Sequence, residues 1–140
     1  EKVIDTHDLV YIYDYAHHPG ELRVAIDAAR ILYPGRKITG IFQPHLYSRT
    51  NDFADGFAEE LDKLDEILLM DIYPARELPM EGVSSEMIFK RMKNPEVKLV
   101  TKETVMDELK KKRPEILMTL GAGDIDTFVP KIKELYSLKQ

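Results

Sequence analysis

Val10-Tyr11-Ile12-Tyr13-Asp14-Tyr15-Ala16-His17-His18-Pro19 is the stretch on which the reading of the fold turns. Residues 9–13 are apolar, β-branched or aromatic, the composition of a strand covered on both faces. Asp14, Tyr15, His17 and His18 then crowd into one turn. Pro19 stops the strand, because it has no amide to continue a ladder. A strand needs none of that chemistry. A polar cluster where a strand ends is where an open α/β sheet keeps its ligand.

Outward from this stretch, short apolar strands alternate with amphipathic helices. Upstream, residues 1–4 read as an edge strand that turns at Asp5-Thr6-His7-Asp8 and runs antiparallel to its neighbour. Downstream, Leu22, Ala25, Ile26, Ala29, Leu32 and Tyr33 fall at helical spacing, closed by Pro34-Gly35. Residues 38–42 form the next strand, ending on Gln43-Pro44-His45. Phe53, Phe57, Leu61 and Leu64 mark a helix with Thr50 or Asn51 as its cap. Residues 67–70 form a third strand of the parallel set. Residues 75–83 have no period and read as a functional loop. Ser84 is expected to cap a short helix carrying Met87, Ile88 and Met92. A strand at 97–100 follows, then a helix capped by Thr101, then a strand at 115–120. The last helix is expected to start near Thr127, with Pro130 in its first turn. This alternation predicts an α/β, Rossmann-like, doubly wound domain. Its sheet has about six strands, mostly parallel with the first antiparallel, and helices on both faces.

Composition bounds the function. The chain has 140 residues and a net charge of −5, with 44% hydrophobic and 32% charged residues. That suits one globular domain and offers no basic face for nucleic acid. There is no cysteine, hence no disulfide framework and no thiolate metal site. No apolar run reaches the ~18 residues of a membrane span. The first residue is Glu1 and the first motif follows at once, so a piece of a longer protein is expected.

In a parallel sheet all C-terminal strand ends share one edge. Asp14, Tyr15 and His17 follow the first parallel strand, and His45, Tyr47 and Arg49 the second. Asp71, Tyr73 and Arg76 follow the third, and Gly121, Ala122, Gly123 and Asp124 the fifth. The polar and glycine-rich residues therefore converge on one rim. Each also has a plainer reading. Asp14 either caps a turn or accepts from a ribose. Arg49 is either a surface ion pair or a fork for a carboxylate or phosphate; its place at a helix start favours the fork, since helix N-termini also attract anions. Two adjacent histidines without cysteine make a poor metal set, because they point apart. Gly121-Ala122-Gly123 lacks the third glycine of a dinucleotide fingerprint and suits a tight turn or a close backbone approach. No Walker-type phosphate loop and no nucleophile elbow is present. Recognition groups without catalytic machinery look like half of an active site. The competing classes are a non-catalytic, anion-binding Rossmann-like module and a flavodoxin-like regulatory domain, though two histidines and a proline in the first loop fit the latter badly.

The segments Asp14-Tyr15-Ala16-His17-His18-Pro19, Phe42-Gln43-Pro44-His45-Leu46-Tyr47-Ser48-Arg49-Thr50 and Gly121-Ala122-Gly123-Asp124-Ile125 resemble the C-terminal domain of the Mur ligases. The His-His pair and the Gln-Pro-His element are most similar to the alanine-adding branch, with a murein-peptide-recycling ligase as the rival. The resemblance implies a three-domain cytoplasmic enzyme of peptidoglycan synthesis. Such an enzyme uses ATP and Mg2+ to join L-alanine to the lactyl carboxylate of UDP-N-acetylmuramate through an acyl phosphate. It implies that the N-terminal domain holds the UDP-sugar and that the central domain carries the phosphate loop and the metal ligands. The third domain, which this chain resembles, would fold alone but be inactive, with no catalytic or metal-binding residue of its own. Carried over by position, Asp14 matches the aspartate that contacts the ATP ribose. Tyr15, His17, His45 and Arg49 match residues lining the amino acid site, with Arg49 on the incoming carboxylate. Gly121, Ala122 and Gly123 match a loop beside that pocket. Two positions depart from the pattern: Tyr13 stands where many relatives have an acid, and Leu46 where a base is frequent.

Overall fold

The computed structural model describes residues 1–137. Strands β1 (Lys2–Asp5), β2 (Val10–Asp14), β3 (Ile38–Gln43), β4 (Glu66–Met70), β5 (Val97–Val100) and β6 (Ile116–Gly121) form one sheet in the order β1-β2-β6-β3-β4-β5. β1 pairs antiparallel with β2, and every other pairing is parallel. The expected mixed, doubly wound sheet is therefore the observed one.

Helices α1 (Pro19–Leu32), α2 (Tyr47–Leu61) and α3 (Glu86–Arg91) follow β2, β3 and β4, while α4 (Val105–Lys110) follows β5 and α5 (Val129–Ser137) follows β6. Leu22 and Ile26 of α1, Phe57 and Leu61 of α2 and Ile88 of α3 pack on one face of the sheet with Phe42 and Leu69. Val105 and Leu109 of α4 and Ile132 of α5 pack on the other face with Tyr11, Ile41, Leu68 and Leu117. The sides follow from one rule. Crossovers from β2 through β5 advance across the sheet, and the crossover from β5 to β6 returns. Keeping one hand puts the returning helix on the opposite face. β6 is thereby inserted between β2 and β3, which brings their three C-terminal ends side by side.

Several helix starts differ from expectation. α2 begins at Tyr47, not after Thr50 or Asn51. Thr50 is buried, and its hydroxyl donates back to the Leu46 carbonyl at 2.9 Å, one turn earlier. α3 begins at Glu86; Ser84 Oγ does accept the Glu86 N–H, whereas the boundary residue Ser85 donates its hydroxyl to the Met70 carbonyl. α4 begins at Val105 behind Thr104, with Thr101 Oγ1 holding the Glu103 N–H. A 3-10 turn at Asp124–Phe128 precedes α5, so Pro130 lies in the first turn of that helix as expected.

At the edge where the strands begin, charges are paired. Buried Glu66 accepts from the Thr39 hydroxyl at 2.6 Å and from Lys112 at 3.1 Å, with Lys37 at 3.6 Å. Asp65 accepts the Ile38 N–H at 2.7 Å and meets Arg30 at 3.1 Å. Glu115 meets Arg36 at 3.0 Å. Among the described residues, no helix is long and apolar enough to cross a membrane.

Candidate functional site

The first loop is shaped by the residue that ends β2. Asp14 Oδ1 accepts the Ala16 N–H at 2.8 Å, a local turn closed by the side chain. Its other oxygen has no partner among the described residues. His17 Nδ1 lies 2.8 Å from the Tyr15 carbonyl, and the His17 N–H donates to Glu21 at 3.2 Å. A ring nitrogen facing a carbonyl must carry the proton, so neutral His17 offers Nε2 as an acceptor. The His17 ring meets His45 edge-on at 5.9 Å, whereas the His18 ring packs on Phe53 at 4.6 Å. The two adjacent histidines do point apart.

The second and third loops are woven together. The Tyr73 N–H donates to the Pro44 carbonyl at 2.8 Å, and the Leu46 N–H to the Tyr73 carbonyl at 2.9 Å. This pairing stacks the His45 and Tyr73 rings at 5.5 Å. His45 Nδ1 also faces a carbonyl, that of Ala122 at 3.3 Å, so its Nε2 is likewise an acceptor. Buried Gln43 ties the rim from below. Its amide donates to the Asp71 carbonyl at 3.3 Å and accepts the Ile125 N–H at 2.8 Å.

Gly121 and Gly123 take the plainer of their two readings, close backbone approach. Both have positive φ, +123° and +127°. A Cβ on Gly121 would lie 2.6 Å from the Gln43 carbonyl oxygen, and one on Gly123 would lie 2.5 Å from Tyr73 Cγ. Only glycine lets this loop press on the Tyr73 ring.

Arg49 is the third residue of α2. Its Nη1 is buried and has no hydrogen-bond partner. The helix start itself is occupied. Glu77, from the irregular loop, accepts the Ser48 N–H at 3.1 Å and the Ser48 hydroxyl at 2.5 Å. The Ser48 hydroxyl, above all, holds the Glu77 carboxyl below its ordinary range. A carboxylate of the chain thus already takes the Ser48 N–H at this helix start. Leu46, just ahead of α2, is held at φ +74°, and Ala75 in the facing loop at φ +53°. Both are strained for residues other than glycine and persist because the surrounding bonds fix them.

Residues 1–125 match the family described as Mur ligase, glutamate ligase domain. The chain belongs to this family. This Mur ligase domain is 56% identical over 132 residues to a UDP-N-acetylmuramate–L-alanine ligase of Flavobacterium johnsoniae, covering 94% of this chain and 29% of that protein. It is 53% identical over 135 residues to the protein of the same name from Porphyromonas gingivalis, covering 96% of this chain and 30% of that one. It thus spans about three-tenths of the length of these curated relatives. Its fold superposes on the crystal structure of a UDP-N-acetylmuramate-alanine ligase from Thermotoga maritima with a TM-score of 0.78 at 24% identity, over 100% of this chain and 30% of that one.

Within the Mur ligase domain, the rim unites Asp14, Tyr15, His17, His45, Ala122 and the two glycines. Arg76 and Asp71 are exposed. Two contributors went unread in the sequence, Asp126 and Glu77. Asp126 accepts both the Tyr13 hydroxyl at 2.5 Å and the Tyr15 hydroxyl at 3.2 Å. Burial first, and then the Asp126 carboxylate, raise the Tyr13 phenol, so it stays a neutral donor. The Tyr73 ring, read as a rim residue, stacks on His45 and faces Gly123. Asp126 and Glu77 carry no local signal, because their partners lie far away in the chain.

Proposed function

We propose that this chain is the C-terminal domain, residues 1–140, of an ATP-dependent ligase that adds L-alanine to UDP-N-acetylmuramate. The observation that carries the reading is Arg49: a buried guanidinium nitrogen without a partner, on a rim that also holds two imidazole acceptors and a free carboxylate oxygen. That the relatives are UDP-N-acetylmuramate–L-alanine ligases supports the same substrates.

Alanine offers a carboxylate, an amine and almost no side chain. Arg49 binds the carboxylate as a charge-assisted fork. The Nε2 atoms of His17 and His45 receive the amine N–H groups and orient its lone pair toward the acid to be joined. Tyr73 and Gly123 wall the pocket so that a small side chain is preferred. Placement of this kind contributes several kcal/mol to a bimolecular attack. The unused Asp14 oxygen suits a hydroxyl of the ATP ribose. ATP supplies the phosphoryl group that activates the acid. Among the described residues, no three His, Cys, Asp or Glu side chains come together as ligands. As the family resemblance implies, the Mg2+ ligands, the phosphate loop and the UDP-sugar pocket belong in this proposal to the N-terminal and central domains of the same cytoplasmic protein.

The test is product formation by the full-length protein. ADP release that requires both L-alanine and UDP-N-acetylmuramate is the expected result. Turnover with an L-alanyl peptide in place of alanine would move the reading to a murein-peptide-recycling ligase. Turnover with neither substrate would leave the anion-binding module.

A further inference from the structure

Glu77 carries the further inference. It lies in a loop without regular structure, yet both of its carboxylate oxygens are engaged by one residue, Ser48, at 3.1 and 2.5 Å. Ser48 is the residue before Arg49. The grip is therefore one peptide unit from Arg49, whose buried Nη1 has no hydrogen-bond partner and whose charge also helps to hold the Glu77 carboxyl down. It is reinforced on both sides: the Leu46 N–H donates to Tyr73 at 2.9 Å, and the Glu77 N–H donates to Pro74 at 2.9 Å. The only described non-glycine residues with positive φ, Leu46 and Ala75, flank the two halves of this clasp. Strain at both sides of one contact marks a place where position is imposed on the backbone.

The grip also solves an electrostatic problem. A helix N-terminus attracts anions through its free amides. Left open, the start of α2 would compete with Arg49 for an incoming carboxylate. An internal carboxylate on the Ser48 amide weakens that competitor. It leaves Arg49 Nη1 open to an incoming carboxylate.

We propose that Glu77 is a positioning residue of the amino acid site: by holding Ser48 and occupying the start of α2, it fixes Arg49 and confines the substrate carboxylate to the guanidinium. This rests on the assignment of Arg49 given above. Glu77 touches no substrate in this scheme, and its effect is felt through Arg49 alone.

The experiment is steady-state kinetics on the full-length enzyme with Glu77→Ala, Glu77→Gln, Ser48→Ala, Glu77→Ala/Ser48→Ala and Arg49→Ala. L-alanine and ATP are varied in turn. Glu77→Ala should raise the KM for alanine by about tenfold, the loss of charge-assisted bonds, and leave the KM for ATP within about twofold. Glu77→Gln keeps one acceptor and should fall between. Ser48→Ala should act in the same direction, and the double variant should be no worse than Glu77→Ala, since the two side chains form one contact. A merely structural role would lower activity toward both substrates together and would overturn the proposal, as would additive effects of Glu77 and Ser48. If Glu77→Ala melts below the assay temperature, Glu77→Gln and Ser48→Ala decide by the same criterion. A normal loss in Arg49→Ala beside a silent Glu77→Gln and Ser48→Ala would overturn this inference alone. A silent Arg49→Ala would overturn both it and the site assignment beneath it.

Discussion

The two edges of this sheet treat their polar groups in opposite ways. Where the strands begin, Glu66, Asp65 and Glu115 each meet a cation, and Glu66 and Asp65 also accept bonds from the strands themselves. Where the strands end, Arg49 keeps a buried nitrogen without a partner, Asp14 leaves an oxygen unused, and Tyr15 is 59% exposed. Among the described residues, the two non-glycine residues with positive φ, Leu46 and Ala75, also lie at the ending edge, whereas at the beginning edge positive φ falls to Gly35. One edge holds the fold together. The other keeps hydrogen-bonding capacity in reserve, which a folded chain tolerates only where something else will use it.

That contrast breaks most sharply at Arg49. Arg49→Ala in the full-length enzyme should weaken alanine dependence by roughly tens- to thousands-fold, the 2–5 kcal/mol of a carboxylate left without its partner. The melting temperature should barely move, because the guanidinium nitrogen holds nothing in the fold. Arg49→Lys should recover only part of the loss, since an ammonium keeps the charge but not the planar fork. A large drop in melting temperature for Arg49→Ala would place this residue with the paired edge instead.

Gly123→Ala tests whether the strain at the ending edge serves the pocket. The new Cβ would press on the Tyr73 ring at a φ that alanine resists, so a cost of about 1–3 kcal/mol is expected. Both the melting temperature and kcat/KM for alanine should fall. An unchanged KM for alanine would show that the Tyr73 wall does not shape the site.

Glu66→Gln probes the other edge and should invert the pattern. Stability should fall by about 1–2 kcal/mol, measured by urea unfolding, with both KM values intact. Its pH dependence has a definite sign. Burial works against the Glu66 carboxylate, but the Thr39 hydroxyl and then Lys112 outweigh it and hold the group below its ordinary 4.5. The folded state therefore favours the ionised form. That contribution is complete above 4.5 and disappears as pH falls through the lowered folded value. The stability gap between wild type and Glu66→Gln should shrink steadily in that range. A gap that widened on acidification would contradict the pairing.

The smallest effect is expected at Asp14. Asp14→Asn keeps an acceptor for the Ala16 N–H and removes only charge, so a several-fold rise in the KM for ATP is expected, with alanine unaffected. A rise confined to alanine would take Asp14 out of the nucleotide site.

Most of the sheet was legible because its signals are local. Residues 9–13, 38–42 and 67–70 read as strands from their side chains alone, and Pro19 and Pro34-Gly35 punctuate α1 at both ends. The antiparallel first strand followed from one short turn. The rim was legible too, since parallel strands must end together. Helix caps were the weak point. Thr50 and Asn51 have the right chemistry for a cap, but the start of α2 is held by Glu77, 29 residues beyond Ser48. A distant acceptor satisfies the first amides as well as a local one, so the helix begins earlier than its own sequence suggests.

By itself, then, the sequence determined the alternation of strands and helices, the chemistry at each strand end and the family motifs that carry it, because periodicity and turn residues act over a few positions. Only the tertiary structure decided the rest. It inserted β6 between β2 and β3, it gave both tyrosine hydroxyls to Asp126, it set Tyr73 against His45 and Gly123, and it left Arg49 Nη1 without a hydrogen bond while bringing Glu77 onto the start of α2. Each of these joins residues far apart in the chain. Such contacts form only once burial of the two apolar faces has brought the strand ends together, and no local pattern records which distant partner will then be in reach.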